Sequence, residues 1–441
     1  MEQATGVQDL AAIASEPGAP SARRLSRMAD ALVFSEILKI AGEIRTLKAA
    51  GQAVCDLTVG DFDPKHFPIP DRLRDAIVAA LAAGETNYPP SNGIPALRES
   101  VRRFYARELG LEYPIDSFVV AGGSRPLIYG LFRTLVDPGD RVVYPVPSWN
   151  NNHYTHLVGG VGVPIFCGAA ENFLPTRDLL RPAVADARLL CLNSPLNPTG
   201  TAFDEETLRG ICELVLEENA GRERRQERPL YVMYDHVYWM LCFGGTSHVT
   251  PVALAPEMAR YTVFVDGISK AFAATGVRVG WGVGPTDVIG RMSALLAHLG
   301  AWAPRAEQVG TVSLLDDGAA IRAFHATFLR GVQARLDALH AGLQALKADG
   351  LPVDSIAPMG AIYLTARIHP FGRTTPDGVR LTTNEQVRQY ILQAARVAAV
   401  PFKAFGSKEE DGWFRLSVGA ASEQDLLDAL PRLAQALRAT S

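Results

Sequence analysis

Cysteine is scarce in this chain and follows no pattern. The five present, Cys55, Cys167, Cys191, Cys212 and Cys242, are odd in number and never stand in a CxxC pair. That excludes a disulfide framework and a cysteine-based zinc site, and it points to a reducing compartment such as the cytoplasm. Long apolar runs are missing as well. None reaches the roughly 18–20 residues that a membrane span needs. The chain opens Met1-Glu2-Gln3, with no basic start and no apolar stretch, so no signal peptide is expected. Neither sign of charge dominates. The 43 Lys and Arg against 47 Asp and Glu leave a net charge of -4, which gives no electrostatic reason to expect nucleic acid or an anionic membrane as partner. Repeats at solenoid periods are absent. Histidines are few, and His153 and His156 in "HYTH" have no third ligand in sight, so no metal site is expected.

What the chain has is length and a segmented apolar pattern. Its 441 residues exceed what one hydrophobic core usually supports, so two domains are expected. With 48% hydrophobic and 20% charged residues, the balance is that of an ordinary soluble globular enzyme. Residues 1–26, opening with many small residues, read as a flexible leader. "EENAGRERRQERP" (217–229) reads as a solvated connector.

Several short apolar runs stop abruptly. "SFVVA" (117–121) gives way to Gly122, Gly123 and Ser124, then to the helical pattern "RPLIYGLFRTLV". "RVVY" (141–144) runs into "PVPSW", "ARLLCL" (187–192) into "NSPLNPTG", "PLYVMY" (229–234) into Asp235, and "YTVFV" (261–265) into Asp266 and Gly267. Buried strands alternating with helical segments predict a doubly wound α/β domain over 72–328. Its ligand should lie beyond the carboxyl ends of the strands. "RMADALVFSEILKIAGEIRTLKAAG" (27–51) reads as one amphipathic helix. A long helical pattern after about residue 330, strands in "GAIYLTARI" (360–368) and "WFRLSVG" (413–419), and a final helix from Ser422 predict a smaller α+β domain. That domain is built from both chain ends, 27–71 and 329–441.

The polar residues at the strand ends form a chemical set. Lys270 sits in a small-residue turn after an apolar strand, where desolvation lowers its pKa and leaves an amine able to condense with a carbonyl. Arg278, eight residues on, offers a planar fork suited to phosphate. Asp235 ends another strand, where a carboxylate can hold a protonated ring nitrogen. Tyr238 lies three residues further, on the same face if a turn of helix starts there. Asn197 supplies an amide for a ring hydroxyl and a substrate carboxylate. Gly123 and Ser124, before a helix, offer backbone N–H groups to an anion. An aldehyde-reactive Lys, phosphate sites and a carboxylate for a pyridinium nitrogen together describe pyridoxal 5′-phosphate.

These segments also resemble a known family. "NSPLNPTG", "YDHVYW", "DGISKAFAATGVRVGW" and "FRLSVG", with "ETNYPPSNGIPALRESV" ahead of them, are similar in order and spacing to class I/II aminotransferases of the aspartate aminotransferase superfamily, fold type I. The resemblance covers roughly 27–440. It implies a large doubly wound mixed-sheet domain plus a smaller α+β domain. It implies Lys270 as the Schiff-base Lys with Ser269 beside it, Arg278 as the phosphate-binding Arg, and Gly123, Ser124 and Arg125 as the phosphate loop. By the same resemblance Trp149 stacks on the cofactor ring, Asn197 and Tyr238 bond its hydroxyl, and Asp235 partners its nitrogen. Arg415 then binds the substrate α-carboxylate and Gly60 lies over the substrate. Tyr88 reaches the phosphate of a neighbouring subunit, which implies a homodimer with shared active sites. At least one of Ser194–Pro195 and Asn197–Pro198 is expected to be cis.

Plainer roles exist for each. Asp235 can cap a helix, Trp149, Tyr238 and Trp239 can be core aromatics, and Arg278 can be a surface ion-pair partner. Arg415 alternates with Phe414 and Leu416, a pattern that suits a surface Arg too. The resemblance implies ping-pong transfer from an L-amino acid to a 2-oxo acid such as 2-oxoglutarate. Ser124 stands where some relatives place a Lys, which leaves Arg125 as candidate cation for a distal carboxylate or as support for the phosphate. Asn151, Asn152 and His153 favour a polar substrate. Aspartate comes first, and aromatic or broad 2-oxo acid partners second. A carbon–sulfur β-lyase shares Lys270, Asp235 and Arg415, so sequence barely separates the two. A transcription regulator with an aminotransferase-like domain is not expected, because the roughly 26 residues before the first helix leave no room for a DNA-binding domain.

Overall fold

The computed structural model describes residues 25–33 and 36–441. The chain divides into two compact units, 1–34 and 35–441. The expected leader over 1–26 lies outside the described residues except for Leu25 and Ser26. In the first unit a single helical turn, Arg27–Asp30, is capped by Ser26, whose Oγ accepts from Ala29 N at 3.2 Å. In the second a helix spans Glu36–Ala49. The single helix expected over 27–51 is thus two. The four-residue turn buries no side chain, and the β-branched and aromatic residues that follow it are weak helix formers.

The second unit opens with a short strand, β1 (Cys55–Asp56). Seven strands follow: β2 (Phe118–Ala121), β3 (Arg141–Val146), β4 (Val161–Phe166), β5 (Ala187–Asn193), β6 (Tyr231–Asp235), β7 (Thr262–Gly267) and β8 (Gly280–Val283). They form one sheet in the order β2-β8-β7-β6-β5-β3-β4. β3 to β7 run parallel, while β8 is antiparallel to both β7 and β2. Alternate side chains serve two cores. Leu190, Val232 and Phe264 pack on one face, and Leu189, Met233 and Val263 on the other. That two-sided burial is why these strands read as continuous apolar runs. Each such residue contributes about 1.5–3 kcal/mol on burial. β4 and β8 gave little sequence signal. β4 is largely exposed and contains Pro164, and β8 is four residues with two glycines.

Five further strands follow: β9 (Val353–Ser355), β10 (Tyr363–Ile368), β11 (Val397–Ala398), β12 (Val400–Pro401) and β13 (Trp413–Ser417). The antiparallel sheet β12-β13-β10-β9 has its own core with Leu336, Leu364 and Phe414, and β1 pairs with β11. A 31-residue helix, Gly318–Ala348, and a capping-box helix, Glu423–Arg438, pack around it. Ser422 caps the latter, so the final helix expected from Ser422 is present. Among the described residues no helix is long and apolar enough to cross a membrane.

Candidate active site

Because β2, β3, β5, β6 and β7 run the same way, their C-terminal ends share one sheet edge. β8 runs oppositely, so its start, just after Arg278, lies on that edge as well. Chain order reverses between β3 and β5, the point where ligands bind in open α/β sheets. A cavity of about 630 Å³ opens there. Of the candidate cofactor- and substrate-site residues named from the sequence, all but Gly123, Tyr88, Asn152 and His153 line it.

Lys270 sits in the one-turn helix Ile268–Ala271 after β7. Asp266 fixes the chain just before that turn. Its carboxylate accepts from Gly267 N at 2.7 Å, Trp239 Nε1 at 3.0 Å and Tyr105 Oη at 3.1 Å, all buried. Beyond the turn, His325 Nε2 donates to the Ala271 carbonyl at 2.7 Å. Lys270 Nζ donates to the Gly60 carbonyl at 2.6 Å. Burial pushes its ammonium pKa down to about 8, Arg415, Arg125 and Arg278 push the same way, and Asp61 opposes them. Close to neutral pH this Lys is therefore partly an uncharged amine.

An anion site lies beside it. Gly123 caps the helix Ser124–Leu135 with no side-chain hydrogen bond, so the first N–H groups are left for a ligand. Gly123 has φ 93°, and a Cβ there would stand 2.2 Å from Arg278 Nη2, so only glycine fits. Arg278 itself is held by the carbonyls of Thr275 at 2.6 Å and Gly122 at 3.0 Å. This leaves a fixed guanidinium against a helix N-terminus. Arg125 also lines the cavity, its guanidinium 4.8 Å from the centroid of the Trp149 indole ring.

Asp235 ends β6, and its backbone carbonyl accepts from Asn193 Nδ2 at 2.7 Å. Burial raises its carboxyl pKa to about 6, against the opposing pull of Val237 N and Lys270. No helix starts at Asp235, so the capping alternative reduces to a turn bond from Val237 N at 3.2 Å. Residues 237–240 form turns rather than the helical turn entertained from the sequence. Tyr238 Oη still enters the site, 2.6 Å from Tyr363 Oη.

Arg415 on β13 is only 2% exposed, which rules out a surface role. Nη1 donates to Asn197 Oδ1 at 3.1 Å and Nη2 to the Thr58 carbonyl at 2.5 Å. The rings of Tyr363 and Phe405 lie 4.7 and 4.9 Å from the guanidinium carbon. Among the described residues Nε is buried without a hydrogen-bond partner, an orphaned donor suited to a carboxylate. Ser194–Pro195 and Asn197–Pro198, which shape the Asn197 loop, are both cis.

The comparison with protein families decides the class, since the model for "Aminotransferase class I and II" matches residues 52–433. The chain belongs to the class I and II aminotransferases. It is similar to the aspartate aminotransferase of Rhizobium meliloti strain 1021, at 32% identity over 96% of this chain and 98% of that one. It is also similar to the probable aspartate/prephenate aminotransferase of Thermus aquaticus, at 33% identity over 94% and 100%. Among solved structures, an aspartate aminotransferase from Rhizobium meliloti matches with TM-score 0.86 and 30% identity, covering 95% of this chain and all of that one. The Thermus thermophilus aspartate aminotransferase with maleate matches with TM-score 0.83 and 30% identity over 94% and 100%.

In this aminotransferase Tyr88 does not reach the cavity of its own chain. It is 81% exposed, with its ring edge against Trp302. The sequence reading overlooked Asp61, Thr275, Tyr363 and Phe405. Asp61, Thr275 and Tyr363 line the cavity, and Phe405 flanks Arg415. Tyr363 stood inside a recognised strand pattern, and only the pairing of β10 with β13 brings it to Arg415. Among the described residues no group of three or more His, Cys, Asp or Glu is arranged to hold a metal ion.

Proposed function

We propose that this aminotransferase uses pyridoxal 5′-phosphate to move the amino group of an L-amino acid, aspartate first, to a 2-oxo acid such as 2-oxoglutarate, in two half-reactions. The observation that carries this reading is the depressed Lys270 amine in a cavity that also holds an anion site, a buried carboxylate and a buried Arg. The residues fit the cofactor. The uncapped helix N-terminus and Arg278 suit its phosphate. The Asp235 carboxyl, without a cation of its own other than Lys270, suits a ring nitrogen that carries a proton. When bound, pyridoxal phosphate supplies an aldehyde that links to amines and a ring that draws electrons from the Cα–H bond. Lys270 is both the linking amine and, once released, the base that carries the Cα proton. Arg415 holds the α-carboxylate through the N–H donors that Asn197 and Thr58 leave free, Asn197 orients Arg415, and Tyr238 with Tyr363 completes the hydroxyl edge.

Aspartate is supported by the names of the relatives and by the dicarboxylate maleate in the Thermus thermophilus structure. Within this cavity Arg125 is the lining cation left for a distal carboxylate once Arg278, Lys270 and Arg415 have their tasks. Arg125→Ala should lower kcat/KM for aspartate and glutamate about tenfold to a hundredfold more than for alanine or phenylalanine, the value of a charge-assisted hydrogen bond. An equal loss for all substrates, with weaker cofactor binding, would assign Arg125 to the phosphate instead.

We read the two sheets as large and small domains, 72–328 against 27–71 with 329–441. The exposed Tyr88 supports a homodimer with shared sites, and the unpaired thiols support a cytoplasmic protein. The test of function is a donor panel with 2-oxoglutarate. Aspartate should yield oxaloacetate and glutamate in equal amounts. Pyruvate and ammonia formed from a donor without any added 2-oxo acid acceptor would point to β-elimination instead.

A further inference from the structure

We propose that Asp61 docks the α-ammonium group of the incoming amino acid, a positioning role that rests on the amino-transfer reading above. The cavity is strongly cationic. Lys270, Arg125, Arg278 and Arg415 line it against two carboxylates, Asp61 and Asp235. An amino acid carries an ammonium and a carboxylate on the same carbon. Arg415 takes the carboxylate, so the ammonium enters a cavity whose protein cations outnumber its carboxylates.

Asp61 is the acid placed to offset that. Its neighbour Gly60 lies among Lys270, Tyr363 and Arg415. The Gly60 carbonyl accepts from Lys270 Nζ at 2.6 Å. A Cβ at Gly60 would stand 2.9 Å from Tyr363 Oη and 3.7 Å from Arg415 Nη1. One residue on, Asp61 Oδ1 accepts from Phe62 N at 2.8 Å and from Thr275 Oγ1 at 2.6 Å. The Thr275 bond ties the carboxylate to the loop that follows Lys270, and the Phe62 bond holds it to its own segment. Its other oxygen, Oδ2, accepts no hydrogen bond among the described residues, although Asp61 is half-buried and lines the cavity. A carboxylate oxygen left without a protein donor, on a residue that lines the same cavity as the linking amine and Arg415, is suited to an ammonium group. Its field already acts on both neighbours, favouring the charged form of Lys270 and disfavouring ionisation of Tyr363.

A 2-oxo acid has no ammonium group, and this makes the role testable. Asp61→Asn keeps an oxygen for Thr275 and removes the charge. In the holoenzyme, the amino-acid half-reaction, followed by the cofactor's absorbance, should need about tenfold to a hundredfold more aspartate for half-saturation. The 2-oxoglutarate half-reaction and the equilibrium binding of succinate, a dicarboxylate without an amino group, should stay the same or tighten. Asp61→Glu, which retains the charge, should recover most of the aspartate affinity. Thr275→Ala breaks the tie without touching the carboxylate, and should leave the ratio of amino-acid to 2-oxo-acid affinity near that of the unmodified enzyme. Equal losses in both half-reactions, or none in either, would overturn the proposal and leave Asp61 as a loop tie. If the unmodified enzyme showed no half-reaction with any amino acid, the amino-transfer reading itself would fall and take this inference with it.

Discussion

In Lys270→Ala, amino transfer should fall by at least about 10,000-fold, the upper end of what one positioned general base supplies. The loss should reach that end because one amine serves twice, as the group that links the cofactor and as the proton carrier. Among the residues lining the cavity Lys270 is the one Lys, so no second amine stands ready to replace it. The fold should survive. The turn is held from both sides by groups other than the Lys side chain, Asp266 before it and His325 after it. The hydrogen bond to Gly60 is lost, at a cost of about 1 kcal/mol. The variant should therefore unfold within a few degrees of the unmodified enzyme, and should lack the absorption band of a lysine-linked cofactor. Turnover retained with the native spectrum would remove Lys270 from the chemistry and end the present reading of the site.

Lys270, Arg278, Asp235 and Asn197 were legible in the sequence for one physical reason. Parallel strands buried on both faces read as short apolar runs, and their abrupt ends mark the sheet edge where a ligand lies. Each of these residues follows such an end or, like Arg278, precedes the one reversed strand. Arg415 was ambiguous because strand alternation says which side chains share a face and nothing about what covers that face. Tyr363 and Phe405 now cover it. Asp61 and Thr275 were hidden for a related reason. They lie more than two hundred residues apart in the chain, and their 2.6 Å hydrogen bond exists only once the segment after β1 has folded over the end of β7. The break between the helices Arg27–Asp30 and Glu36–Ala49 went unseen because apolar periodicity continues across it. Capping by Ser26 starts the first helix without giving it a buried face to extend.

Asp235→Asn should leave the protein folded and able to take up cofactor, with kcat reduced about 200-fold to 5,000-fold. The amide keeps an oxygen for Val237 N, so the turn after β6 persists. What disappears is the negative charge opposite a ring nitrogen that must hold a proton. Breaking one side of a buried charge pair costs about 3–5 kcal/mol, and each 1.36 kcal/mol on a barrier is tenfold in rate. The loss should fall mainly on kcat, because the charge is needed most as the ring takes up electrons. A pH signature accompanies it. Without cofactor the Asp235 carboxyl titrates near 6, raised by burial. A cationic partner lowers that value, so the pair's contribution to cofactor binding is complete above about 6 and fades as the pH falls below it. Cofactor affinity of the unmodified enzyme should therefore weaken on acidification through that range. In Asp235→Asn the affinity should be lower at pH 8 and should lack that acid limb. If the variant kept near-native kcat and the same acid limb, the titrating group would lie elsewhere, and Asp235 would be a turn residue with no part in the chemistry.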